Sequence, residues 1–217
     1  MKDFDSKEDV IDFWEGQDPC SQEGNRPESF YSRLTVDTIR SVVDLTGKQR
    51  ILDAGSGWGR LAKHFQSDGD VVGLDITDGL LRAQQKVAPN ATQVRGDAGQ
   101  LPFRSNSFDL VYAARMLHYF DDYTPFLSEF MRVTRPGGTV AVIQPNSWNP
   151  YHRLTYYTRL LSPTDVSSSF KTVGFTDVDT VHFGFSHPSM PIPALEHVGR
   201  VPLIRRISGL YLVYGRT

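Results

Sequence analysis

Residues 51–60 read ILDAGSGWGR, and this decapeptide constrains the fold more than any other stretch of the chain. Ile51 and Leu52 end an apolar strand that Asp53 closes. Gly55, Gly57 and Gly59 then punctuate a tight turn, and 60–65 opens a helix. A strand that passes through a glycine turn into a helix N-terminus forms a cradle for a nucleotide-like ligand. Glycine admits positive φ and lets ligand atoms approach the backbone with no Cβ in the way.

The spacing narrows the ligand. A dinucleotide fingerprint is G-x-G-x-x-G with phosphate on the helix N-terminus. Here the glycines run G-x-G-x-G, and Asp53 sits two residues before the first. A carboxylate beside a diphosphate is repulsive, whereas one beside an ammonium, or holding the loop for one, helps. The turn therefore suits a ligand whose near end is a cationic amino acid, and S-adenosylmethionine has that shape.

The rest of the chain supplies the sheet that such a turn needs. A short helix is expected near 7–14 and a second over 29–46, before strands at 49–54, 71–75, 91–96, 108–114 and 139–144. Helices fall between them at 58–67, at 78–87, and from Thr124 as N-cap with Pro125 first in the helix, up to the stop Pro136-Gly137-Gly138. This alternation implies a parallel sheet covered on both faces, with ligands at the carboxyl ends of its strands. Beyond 145 the rhythm breaks. Ser162 caps a helix that ends near Gly174, 175–185 reads as a strand, and 186–202 holds prolines 188, 191, 193 and 202 with a short helix expected near 194–200. A last strand at 210–215 makes an antiparallel edge hairpin with 175–185.

Two more acids join Asp53 at strand ends. Asp75 closes the second strand, where a carboxylate accepts from both hydroxyls of a ribose. Asp97 follows the third, in Arg95-Gly96-Asp97-Ala98, where it can accept from an adenine amino group while the Ala98 N–H donates to a ring nitrogen. Each acid alone suits a helix cap or loop, but the three together point to a nucleoside site.

With these residues in place, the chain resembles the class I S-adenosylmethionine-dependent methyltransferases of the small-molecule type, which includes quinone and natural-product enzymes. The resemblance rests on ILDAGSGWGRLAKHF (51–65), VVGLDITDGLL (71–81), GDAGQLPFRSNSFDLVYAARMLHYF (96–120) and EFMRVTRPGGTVAVIQPN (129–146), about half of the chain. It implies an α/β, Rossmann-like, doubly wound sheet of seven strands, mostly parallel with an antiparallel last strand. It also implies that Gly55 and Gly57 approach the methionine moiety. Asp75, with Ile76 beside it, serves the ribose, and Asp97 with Ala98 the adenine. Ala114 and Arg115 face the amino-acid end. Trp58 is bulky for its place and either covers the cofactor or packs. Arg115 is unusual in its charge, and suits the cofactor carboxylate or an acidic substrate.

Methyl transfer from a sulfonium is an in-line displacement of an already activated group, so the protein mainly aligns and desolvates two reactants. His118, just after the fourth strand, is the leading candidate for a general base, set against a role in packing or helix initiation. Tyr119, Tyr31 and His152 are weaker candidates, and Tyr31 and Arg33 are placed to close over the cofactor carboxylate. His182, His187 and His197 are dispersed and lack metal-ligand spacing. The chain is expected to be one methyltransferase domain over 1–217, with a helical cap at 1–46. Substrate-side insertions are expected at 145–161 and 186–205, where Trp148, Tyr151, Tyr156, Tyr157 and Phe185 suit an apolar or aromatic small molecule at oxygen, nitrogen or carbon.

Bulk properties exclude other classes. Net charge −2 and a pI near 6.3 argue against a dedicated nucleic-acid binder. The run Arg115-Met116-Leu117-His118 stands where a base-flipping DNA adenine methylase carries an acid or Asn before Pro-Pro-aromatic. The single cysteine, Cys20, allows neither an internal disulfide nor a Cys-cluster metal site and fits a reducing cytoplasm. The charged start MKDFDSKEDV lacks a signal-peptide core, and no apolar run reaches membrane-span length. The stretch from Arg200 to Arg206 suits packing of the last strand better than contact with a membrane. Two other readings are a nicotinamide oxidoreductase on a similar sheet, which the glycine spacing and Asp97 disfavour, and a non-catalytic S-adenosylmethionine-binding module.

Overall fold

The computed structural model describes residues 4, 6–15, 21, 26, 28–47, 49–155, 159–185 and 207–217. Its strands are β1 (Gln49–Ala54), β2 (Gly69–Asp75), β3 (Thr92–Arg95), β4 (Phe108–Ala114), β5 (Thr134–Pro145), β6 (Thr176–Phe183) and β7 (Leu210–Arg216). Helices α1 (Lys7–Glu15) and α2 (Phe30–Val42) precede them. Helices α3 (Ala62–Phe65), α4 (Asp78–Val87), α5 (Thr124–Val133), α6 (Pro150–Thr155) and α7 (Pro163–Val173) connect them. Among the described residues, no helix is long and apolar enough to cross a membrane.

The seven strands form one sheet in the order β3-β2-β1-β4-β5-β7-β6. β1, β2, β3, β4 and β5 pair in parallel, and β7 runs antiparallel between β5 and β6. The strand order reverses between β1 and β4, so the loops leaving these two strands diverge and open a crevice at the carboxyl edge.

Strand periodicity assigns the two faces. Leu52, Val111, Val140 and Val213 lie on one side with Phe130 of α5 and Phe170 of α7. Their neighbours Ile51, Leu110, Ala141 and Leu212 lie on the other, with Ile39 of α2 and Phe65 of α3. Both faces are therefore dry, which is why β1, β4 and β5 read as nearly continuous apolar runs. Asp53 shares its face with Ile51, and its register partner on β4 is Tyr112.

Several element bounds differ from the sequence reading for local reasons. The helix expected over 58–67 begins only at Ala62, because the positive φ values of Gly57 (54°) and Gly59 (84°) keep the chain in turns before it. Strand β2 starts at Gly69, two residues earlier than expected, paired with Gln49. α5 already includes Thr124, so Thr124 is not the cap; its N–H is taken instead by Asp122 Oδ1 at 2.9 Å. Pro136-Gly137-Gly138 does not end that helix from outside. It forms a bulge inside β5, whose pairing with β4 jumps from Phe108↔Thr134 to Leu110↔Thr139. α7 has the expected form, with Ser162 Oγ accepting from Asp165 N at 3.0 Å and left-handed Gly174 at its end. Cys20, Tyr156, Tyr157, His187, His197, the helix near 194–200 and the whole 186–205 insertion lie outside the described residues.

Candidate functional site

The glycine turn is anchored to β2. Gly55 N and Ser56 N both donate to the Leu74 carbonyl, at 2.8 and 2.9 Å. Gly57 N donates to Asp75 Oδ2 at 2.8 Å, and Thr77 N donates to Asp75 Oδ1 at 2.9 Å. Asp75 is thus the clasp between the turn and the start of α4. Burial pushes its carboxyl upward, while the Thr77 and Gly57 N–H groups favour the charged form. A Cβ at Gly55 would stand 2.7 Å from Met116 Sδ, closer than such atoms approach. At Gly57 a Cβ would meet nothing within 4 Å, so the turn leaves open space beside the Asp75 clasp. Trp58 is buried and packs.

Asp53 lies deeper, 2% exposed. Tyr112 donates its hydroxyl to Asp53 Oδ2 at 2.9 Å, a bond set by their register on adjacent strands. Burial pushes the Asp53 carboxyl up to about 7, with Tyr112 and the charge of Arg60 opposing and Asp75 adding. Burial and then the charge of Asp53 hold the Tyr112 phenol well above its ordinary range, so it remains a donor. Burial thus favours the neutral carboxyl, and an approaching cation would favour the charged one.

Asp97 follows β3 and is half-buried. Gly99 N donates to its Oδ1 at 2.8 Å, and the Lys7 ammonium from α1 pairs with its Oδ2. Ile76 is half-buried and Ala98 is buried. Arg115 adopts a positive φ of 58° and donates its N–H to the Ile143 carbonyl at 2.8 Å, tying the end of β4 to β5.

His118 lies in a short 3₁₀ turn over Leu117–Tyr119 and is 5% exposed. Its Nδ1 is 2.8 Å from Gln144 Oε1 on β5, and its ring lies 4.3 Å from that of Tyr119. Burial pushes the imidazole down to about 4; Gln144 opposes this and the Arg115 charge adds to it. The ring is therefore neutral through the physiological range. Tyr119 also meets Phe4 and Trp14 edge-on, at 5.3 and 6.1 Å. Beneath α1 lies a cavity of about 300 Å³, bordered by Lys7, Gly99, Tyr119 and Phe126.

Other candidates sit apart. Tyr31 donates its hydroxyl to the Gly184 carbonyl at 3.3 Å, and Arg33 is exposed. Trp148 stacks on His182 at 5.7 Å, and His182 Nδ1 lies 3.2 Å from Ser208 Oγ, toward the β6 side of the sheet. His152 is partly buried on α6, and its imidazole is pushed down by that burial. Three residues that the sequence reading missed belong to the site: Tyr112, Gln144 and Lys7. Gln144 alone carried a signal, as a polar residue inside the apolar run VAVIQP.

Residues 52–142 match a family model described as a methyltransferase domain. The chain is 34% identical over 134 residues to demethylmenaquinone methyltransferase of Renibacterium salmoninarum, covering 60% of this chain and 54% of that protein. It is 33% identical over 147 residues to an uncharacterized methyltransferase of Synechocystis sp., covering 60% of this chain and 68% of that one. The chain spans about half the length of several curated relatives it matches. In fold it is similar to a Thermotoga maritima S-adenosylmethionine-dependent methyltransferase, described as a possible histamine N-methyltransferase. The TM-score is 0.68 at 18% identity, covering 85% of this chain and 88% of that one.

Proposed function

This chain belongs to the class I S-adenosylmethionine-dependent methyltransferase family, and from that premise we propose that it methylates oxygen, nitrogen or carbon of a small apolar or aromatic metabolite. A quinol of the demethylmenaquinone type, the acceptor class named for several relatives, is the first acceptor to test. Family and fold imply S-adenosylmethionine as the methyl donor and S-adenosylhomocysteine as its product.

The observation that carries the reading is the Asp75 clasp on the glycine turn. Its carboxylate bonds to Gly57 N, and the Gly57 Cβ direction is open. Those groups fit a nucleoside ligand: Asp75 is held by the Gly57 and Thr77 N–H groups at a turn whose Gly57 side is open, where its carboxylate can accept from a ribose hydroxyl. In this reading Asp75 and Ile76 serve the ribose, and Asp97 with Ala98 the adenine. Asp53, Gly55, Gly57 and Arg115 surround the amino-acid end. The N-terminal segment 1–46 caps the site, and 145–161 with 186–205 receive the acceptor.

When bound, S-adenosylmethionine supplies a methyl group already activated on a sulfonium. The chain's part is alignment, for which orientation provides roughly 7–11 kcal/mol, and removal of a proton from the acceptor. His118 takes that proton. Gln144 Oε1 accepts the Nδ1 hydrogen, which leaves Nε2 as the basic nitrogen. A buried imidazole held near 4 is a weak base, suited to an acidic hydroxyl such as that of a phenol or quinol, and the Arg115 charge favours the resulting anion. Loss of the quinol proton raises the nucleophilicity of both the oxygen and its ortho carbon, so the atom attacked depends on how the acceptor is held.

Calorimetric titration with S-adenosylmethionine, S-adenosylhomocysteine and NADH tests the cofactor. Micromolar adenosyl binding that is lost in Asp75→Ala is the expected result, and NADH binding in its place would overturn the reading. Transfer of labelled methyl to reduced naphthoquinones lacking the ring methyl tests the acceptor.

A further inference from the structure

Lys7 is the one α1 side chain that reaches the acid assigned above to adenine. Its ammonium pairs with Asp97 Oδ2 and lies 5.6 Å from the centre of the Phe126 ring. Asp97 is itself fixed by Gly99 N at Oδ1. The ammonium is thereby positioned by a charge and an aromatic face, at the edge of the cavity that also meets Phe4 and Tyr119.

An ammonium carries three donors, and Asp97 uses one. Lys7 and Asp97 therefore present a donor and an acceptor side by side. Adenine offers the complement: an amino donor beside the N7 acceptor. A 6-oxopurine offers two acceptors there, one of which would face the Asp97 carboxylate. N7 is the ring acceptor that lies beside the amino group, where a donor next to Asp97 would meet it.

We propose that Lys7 is a cofactor-binding residue that donates to adenine N7 and, with Asp97, selects a 6-aminopurine at this site. The inference rests on the cofactor reading above. It makes α1, which borders Tyr119 through Trp14, part of the nucleoside site rather than a cover alone.

Calorimetry on the full chain tests it with three ligands: S-adenosylhomocysteine, its 7-deaza analogue and its inosine analogue. The wild-type chain is expected to bind the 7-deaza analogue about ten-fold more weakly, the loss of one charge-assisted hydrogen bond at a partly exposed position. Lys7→Met should bind S-adenosylhomocysteine and the 7-deaza analogue equally, and Lys7→Arg should restore a preference. The inosine analogue should remain disfavoured in Lys7→Met, because Asp97 sets that term. Equal wild-type affinity for the two adenine ligands, or a preference that survives Lys7→Met, overturns the proposal while the cofactor reading stands. Failure of the wild-type chain to bind S-adenosylhomocysteine removes both.

Discussion

Replacing Asp53 by Asn should make the ligand-free protein more stable above neutral pH and leave it unchanged in acid. Burial holds the Asp53 carboxyl near 7 in the fold, against its ordinary 3.8 in the unfolded chain. Between those values the folded state binds the extra proton, so stability falls as pH rises through that window. At about 1.4 kcal/mol for each tenfold change in proton affinity, the cost above pH 7 is about 4 kcal/mol. Asn carries no charge to desolvate, and the Tyr112 hydroxyl can donate to the amide oxygen or accept from its N–H. Urea unfolding of both proteins at pH 4, 6 and 8 isolates this group, because every other titration is common to the pair. The variant should gain several kcal/mol at pH 8, less at pH 6 and under about 1 kcal/mol at pH 4. The same carboxyl has a functional readout. An incoming amino-acid ammonium would favour the ionised form, so S-adenosylhomocysteine binding at pH 6 should release up to about 0.9 proton. Calorimetry in buffers of different ionisation enthalpy measures that number, and Asp53→Asn should abolish it. A variant equally displaced in stability at all three pH values, or proton release that persists in it, would refute the account of Asp53.

Three further outcomes follow from the site. Asp75→Ala should weaken S-adenosylhomocysteine at least ten-fold by calorimetry, since it removes both the proposed ribose acceptor and the partner of Gly57 N and Thr77 N. His118→Ala should lower kcat about 10²–10⁴-fold with an unchanged cofactor Kd; because the imidazole is neutral above about 4, the wild-type kcat profile should show no His118 limb between pH 5 and 8, and a limb there would contradict its burial. Gly55→Ala should lower thermal stability by about 1–2 kcal/mol, from a φ of 73° and a Cβ driven into Met116; an unchanged Tm would show that the Met116 side chain gives way freely.

The architecture was legible because the signals that specify it are local. Each buried strand reads as an apolar run, and Gly55, Gly57, Asp75 and Asp97 stand at strand ends where any parallel sheet gathers its loops. The antiparallel pairing of the last strands followed from the same pattern. Two of the misplaced bounds lie where glycine or proline bends the chain, one inside an expected helix and one at an expected stop. Gly59 delays α3, and Pro136-Gly137-Gly138 bulges within β5 while pairing continues on either side.

What the sequence withheld is side-chain partnership across elements. Asp53 and Tyr112 are 59 positions apart, and only the β1–β4 register brings them face to face. Lys7 is 90 positions from Asp97, and nothing in an exposed, charged helix announces which acid it will meet. Gln144 shows how much such partners alter chemistry. A carboxylate in its place would raise the pKa of His118 and make the neutral ring a stronger base. A neutral amide at 2.8 Å fixes the ring without lending it charge, and burial then leaves a weak base. Such a base takes a proton poorly from an aliphatic hydroxyl and better from the more acidic phenol or quinol proposed above. The identity of residue 144 therefore bears on the proposed acceptor as much as the histidine does.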